Sequence, residues 1–176
     1  PNNWITFQPD GTVILFPMLA ENRRAERRSD IITTLAKEFS VKDIIDLSKE
    51  EDSGRFLEGT GSMVFDHPHR RVYACASPRT DRNIFFSLAS RLGYEGFYFH
   101  ALDENKQPVY HTNVAMSIGN KFALLCLDAI HDDDEQERIL NNFSESSHRV
   151  FAISHAQMRA FAGNVLEVVT RAGDSM

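Results

Sequence analysis

Cysteine is scarce in this chain: only Cys75 and Cys126 occur among its 176 residues. Both lie inside apolar runs, between Ala74 and Ala76 and between Leu125 and Leu127. Two thiols cannot make the disulfide lattice of a small secreted domain, although one buried bridge between them stays open. Reactive thiolates want a partly exposed, electropositive setting. These two instead read as reduced packing residues, and they predict a cytoplasmic chain. Long apolar runs are lacking too. None approaches the roughly 20 residues that a membrane-spanning helix needs, and no secretory leader is visible. Positive charge is in deficit, with 19 Lys+Arg against 25 Asp+Glu and a formal charge of −6. That balance excludes bulk attraction to nucleic acid or an anionic membrane. There is no glycine loop to cradle phosphate. His67, His69, His131 and His148 show no metal-ligand spacing with cysteines or carboxylates. Neither a metal nor another cofactor is expected.

What is present is an ordinary globular composition, 42% hydrophobic and 25% charged, enough for one substantial core in a single α/β domain over 1–176. Trp4 to Phe7 and Thr12 to Phe16 predict two strands across the turn Pro9-Asp10-Gly11. Ile31, Ile32, Leu35 and Phe39 recur at helical spacing and predict one helix from Asn22 to Phe39. A short strand follows over Val41 to Leu47. The order then repeats: strands Gly61 to Phe65 and Arg71 to Ala76, a helix Asp81 to Leu92 ending at Gly93, and a strand Tyr94 to Leu102. It repeats again: Tyr110 to Ser117, Phe122 to Ile130, a helix from the Asp132-Asp133-Asp134 run through Phe143, and a strand Val150 to Ile153. A short helix near His155 to Phe161 leads into a strand over Val165 to Thr170. Strand–strand–helix–strand at a period of about fifty residues predicts a repeat architecture. The units fall roughly at 1–52, 53–105 and 106–160, with a fourth beginning at 161–176. Each unit buries only one helical face, so neighbours must pack together. Opening on Pro1 and stopping at Met176 just after a strand, the sequence is expected to be a piece of a longer protein.

The repeat spaces two stretches of the same outline, Leu57 to Phe65 and Pro108 to Gly119, with Glu58 and His111 separated by 53 residues (111 − 58). His111 and Asn113 occupy alternate positions, so on a strand they share a face. That pair is either a general acid/base with an amide partner or a surface histidine at a strand edge. Glu58 is either a carboxylate that binds a cationic or hydrogen-bond-donating substrate and orients His111, or a solvated turn residue. Arg79, in Ser77-Pro78-Arg79-Thr80, can clamp a carboxylate bidentately. It can equally be a helix-start residue with Thr80 as N-cap. The cluster Arg23 to Arg28 reads as a solvated helix face from which one of the first arginines can offer a second anion contact.

Together these stretches resemble the guanidino-group-modifying superfamily. This is the pentein α/β propeller of arginine deiminases, dimethylarginine dimethylaminohydrolases and amidinotransferases. Its branch of amidinotransferase-like citrulline hydrolases is the nearest in pattern. The resemblance rests on Pro1 to Trp4, Asn22-Arg23-Arg24 with Glu26, Leu57 to Gly61, Ser77 to Thr80, Tyr110 to Asn113 and Phe161 to Asn164, in family order. It implies a fold of five ββαβ units, of which about three are present. It implies a hydrolase that breaks a C–N bond of a guanidino or ureido amino acid by a Cys–His covalent mechanism. His111 would be the general acid/base, Glu58 the carboxylate on the substrate nitrogens, and Arg79 and Arg23 the grip on the α-carboxylate. Asn3 and Asn113 fall where deiminases carry aspartates, and Gly61 replaces another. With fewer carboxylates to hold a cation, the site is expected to lean toward a neutral ureido substrate such as citrulline. The family's nucleophilic cysteine belongs to a last unit beyond Met176, so the chain alone is expected to be inactive. The alternatives are a non-catalytic propeller fragment or amino-acid-binding module, and an amidinotransferase. An open ring would also expose apolar edges, which predicts partner contacts or self-association.

Overall fold

The turn Pro9-Asp10-Gly11 folds as its residues dictate. The Asp10 carboxylate accepts the Thr12 N–H at 2.9 Å, and Gly11 takes a φ of +92° that side chains disfavour. In the computed structural model, which describes residues 3–168, this turn joins antiparallel strands β1 (Ile5–Phe7) and β2 (Thr12–Leu15). Two short helices follow, α1 (Glu21–Arg24) and α2 (Ser29–Leu35), and β3 (Asp43–Asp46) returns parallel to β2. The second unit holds a helical turn α3 (Gly59–Ser62), β4 (Val64–Asp66), β5 (Arg71–Cys75), α4 (Arg82–Arg91) and β6 (Glu95–Phe99). The third holds α5 (Thr112–Ala115), β7 (Met116–Ile118), β8 (Phe122–Leu125), α6 (Asp133–Glu145), β9 (Arg149–Ala152) and then α7 (His155–Arg159). Each sheet has three strands, with the second in the centre, antiparallel to the first and parallel to the third. No helix among the described residues is long and apolar enough to cross a membrane.

Strand alternation explains how the units hold together. On β5, Val72 and Ala74 join one core with Ile14, Phe16, Leu57, Ile84, Phe85 and Leu88. Tyr73 and Cys75 point the other way, into a core with Phe97, Leu125, Ile139 and Phe143. Successive strand residues face opposite sides, so this central strand feeds two cores, one shared with each neighbouring unit. The first unit adds a small core of Trp4, Ile5, Val13 and Met18, covered by Ile31 and Ile32 of α2.

Several expected elements take a different form. The helix over Asn22 to Phe39 is broken at Ala25–Arg28 because two of its arginines turn inward. Arg24 Nε donates to the Met18 carbonyl at 3.0 Å, and Arg27 donates to Phe16 O at 3.1 Å and pairs with Glu51 at 2.8 Å. The arginine cluster is therefore not a plain solvated face, and Phe39 is exposed. The strands expected at Gly61 to Phe65 and Tyr110 to Ser117 begin instead with the helical turns α3 and α5. The helix cap before α4 is Asp81 rather than Thr80. The Asp81 carboxylate accepts the N–H groups of Asn83 and Ile84, a contribution of about 1 kcal/mol. The run Phe122 to Ile130 leaves β8 after Leu125 and tightens into a 3₁₀ turn over Leu127–Ala129. Residues 165–168 form no strand, and the remainder of the strand expected to Thr170 lies outside the described residues.

Candidate active site

The two turns that replace the expected strands place Glu58 and His111. Glu58 precedes α3, and its own N–H is held by Ser62 Oγ at 3.0 Å and Arg79 O at 3.2 Å. The Ser62 hydroxyl in turn donates to Arg79 O at 2.8 Å. His111 stands in the matching position before α5, with extended backbone at φ −139° and ψ 138°. Thr112 locks the two turns together: its hydroxyl donates to Ser62 O at 2.6 Å and accepts the Cys75 N–H at 2.8 Å.

Glu58 is fully buried, at 0% exposure, and every direction around its carboxylate is used. Oε1 accepts the Leu19 N–H at 3.0 Å. The Arg79 guanidinium sits on both oxygens at 2.9 and 3.0 Å. His111 Nε2 meets Oε2 at 2.7 Å. Arg23 reaches to within 4.0 Å of Oε2, although its main partner is Glu26 at 3.0 and 3.1 Å. Burial alone would push the Glu58 carboxyl up. The hydrogen bonds from His111, Leu19 and Arg79 outweigh it and hold the group below the usual carboxylate range.

Glu58, His111, Arg79 and Arg23 thus lie in one cluster, in which Arg79 grips Glu58. Asn3 flanks the cluster, where its side-chain oxygen accepts from Thr60 at 3.1 Å. A Cβ on Gly61 would come within 2.7 Å of Asn3 Nδ2 and 2.8 Å of the His111 ring. The glycine is what lets that ring lie against the turn, and no carboxylate side chain could stand there. Asn113 does not share a strand face with His111. It is half-buried within α5, and its side chain makes no hydrogen bond among the described residues.

The residues that sequence reasoning missed are Ser62, Thr112 and Leu19, which act through a hydroxyl or a backbone N–H. The only available signal was a hydroxyl residue close behind Glu58 and behind His111. Both cysteines are free and buried, so the bridge does not form. Burial pushes the Cys75 thiol up to about 11, against a hydrogen bond from Thr112, and raises Cys126 as well. His69 and His148, which show no metal-ligand spacing in the sequence, converge on Asp66 away from this cluster.

A family model described as N,N dimethylarginine dimethylhydrolase, eukaryotic, matches residues 1–176. The chain belongs to that family. It sits within the pentein guanidino-modifying superfamily. Among solved structures it is similar to ArgZ, an arginine dihydrolase from the ornithine-ammonia cycle in cyanobacteria, in its apo form (TM-score 0.71, 18% identity, covering 94% of this chain and 25% of that one). It is also similar to AgrE in its ternary complex with ornithine and NAD+ (TM-score 0.69, 23% identity, 94% and 22% covered). A third likeness is to C. jejuni agmatine deiminase C315S with substrate bound (TM-score 0.56, 16% identity, 89% and 51% covered). The mixed α/β fold with three small sheets is shared with these proteins, and the chain spans well under two thirds of the length of each. No curated protein matches it.

Proposed function

We propose that this chain forms the guanidinium-recognising part of an α/β propeller hydrolase. Its three ββαβ units stand as three blades, and it cleaves a C–N bond of a free guanidino amino acid of the arginine or N-methylated arginine type. One observation carries this reading: the buried carboxylate of Glu58 already holds a guanidinium, that of Arg79, while bonded to the His111 imidazole. A substrate guanidinium would take the place that Arg79 fills. Arg79 is then free to turn toward the substrate's α-carboxylate beside Arg23. The exchange replaces cation by cation, so a buried carboxylate never loses its counter-charge, which would be costly. A neutral ureido group offers no such replacement. Glu58 therefore favours a guanidino group, against the lean toward citrulline that Asn3, Asn113 and Gly61 suggest.

The chemistry that suits the site is thiolate attack on the central guanidino carbon. A C–S bond forms as the C–N π electrons move onto nitrogen. His111 gives a proton to the departing amine as its bond to carbon breaks. Water then adds with His111 taking its proton, and the C–S bond breaks to return the thiolate. Cys75 and Cys126 are too deeply buried to take this part, so the nucleophile comes from another segment of the full-length protein.

A hydrolysis assay of the full-length protein on arginine, N-methylated arginine and citrulline tests the reading. Release of ammonia or a methylated amine from one of the first two, with citrulline inert, is the expected outcome. Consumption of citrulline alone overturns it, binding without turnover points to an amino-acid-binding module, and dependence on an amine acceptor points to amidino transfer. Within the same assay, Gly61→Ala is expected to lower kcat by roughly 10²-fold, the effect of moving a reacting group by about 1 Å. Circular dichroism unchanged from the parent separates that effect from unfolding.

A further inference from the structure

Away from Glu58, a second polar cluster lies in the seam between the second and third units. Asp66, at the end of β4, is 1% exposed. The Nδ1 atom of His69 lies 2.9 and 3.0 Å from its two oxygens, and the Nδ1 atom of His148 lies 4.0 Å from Oδ2. One ligand atom from each of the three residues fits within a span of 4.8 Å. Donors bound at ~2.0–2.1 Å to one tetrahedral ion stand roughly 3.3 Å apart. Measured to the single oxygen Oδ2 of Asp66, the 3.0 Å of His69 and the 4.0 Å of His148 bracket that value. We propose that Asp66, His69 and His148 form a divalent-metal site, suited to zinc, that staples the second unit to the third.

The surroundings support the assignment. His148 Nε2 donates to Gly119 O at 3.0 Å. A backbone carbonyl on the outer ring nitrogen is the usual device that fixes a ligating histidine and leaves its other nitrogen for the ion. That nitrogen is now 2.7 Å from the Ser146 hydroxyl, which also lies 2.8 Å from Asn142 O and can turn its proton there. A buried carboxylate calls for compensating charge. Yet Arg71, the cross-strand neighbour of Asp66, sends its guanidinium to Asn142 O at 2.7 Å and to Glu145 at 2.5 Å. On β7, which packs on β4, the buried Ser117 hydroxyl has no partner among the described residues. Half-exposed His69 opens the cluster to solvent, which leaves the fourth position of a tetrahedral ion for water.

The test is titration of the metal-stripped full-length protein with Zn²⁺ by calorimetry and with Co²⁺ by visible absorption. One equivalent per chain and the d–d absorption of four-coordinate Co²⁺ are expected. His69→Ala, a surface change that leaves the fold intact by circular dichroism, is expected to weaken affinity by more than about 100-fold, beyond the effect of an outer-shell change. His111→Ala is expected to keep full stoichiometry. Absence of binding overturns the proposal. So does binding that survives His69→Ala, or that is lost with His111→Ala, since the ion would then sit beside Glu58.

Discussion

Glu58→Gln in the full-length protein is expected to abolish turnover and to weaken the fold at once. The carboxylate accepts from Leu19, Arg79 and His111 together. A carboxamide has a single acceptor oxygen, and its –NH₂ group must face at least one of those donors. Leaving a charge without its buried partner costs about 3–5 kcal/mol. The lower end applies here because Arg79 is partly exposed and can rehydrate. Urea unfolding measures this loss directly. The pH dependence follows from the direction of the Glu58 shift. Its folded pKa lies below the ordinary carboxylate value of 4.5. The stability it contributes is therefore fully present above that value and is lost as pH falls through the folded pKa. Acid unfolding of the parent should show this loss below pH 4.5, and Glu58→Gln should remove it. A variant that unfolds earlier yet turns over normally would strip Glu58 of any role in the chemistry.

His111→Ala is expected to lower kcat by roughly 10²–10⁴-fold, the usual worth of a positioned acid/base. Glu58 keeps the Leu19 N–H and can still exchange Arg79 for the substrate guanidinium, so substrate affinity should change far less than kcat. Added imidazole should restore part of the rate by occupying the vacated space beside Glu58. A KM rise with kcat intact would reassign His111 to binding, and parent-like kinetics would remove it from the mechanism.

The sequence carried the unit order well, because alternation and helical spacing are local. β2, β5, α4 and α6 fall close to where their apolar patterns put them. It also carried the 53-residue offset between Glu58 and His111, and the structure repeats it in the turns that follow them (112 − 59 = 53). What it could not carry was the shape of those turns. Gly59 takes a φ of +39°, while Ser62 and Thr112 bond to Arg79 O and Ser62 O, respectively 17 and 50 residues away. Such bonds exist only once the units have met. The inward turn of Arg24 and Arg27 was hidden for the same reason: their acceptors are backbone carbonyls and Glu51. The convergence of His148 on Asp66 likewise depends on two units packing side by side. Where Arg79 rests is a tertiary outcome as well, since the same guanidinium could have faced the solvent instead of the Glu58 carboxylate.

The division of β5 between two cores reaches beyond packing. Val72 and Ala74 report to one neighbour, Tyr73 and Cys75 to the other. A fluctuation that frees this strand loosens both sides in a single event. The units are therefore expected to melt as one cooperative body instead of peeling away in turn, and the Glu58–His111 pair, which spans two of them, would inherit its rigidity from a strand that neither residue belongs to.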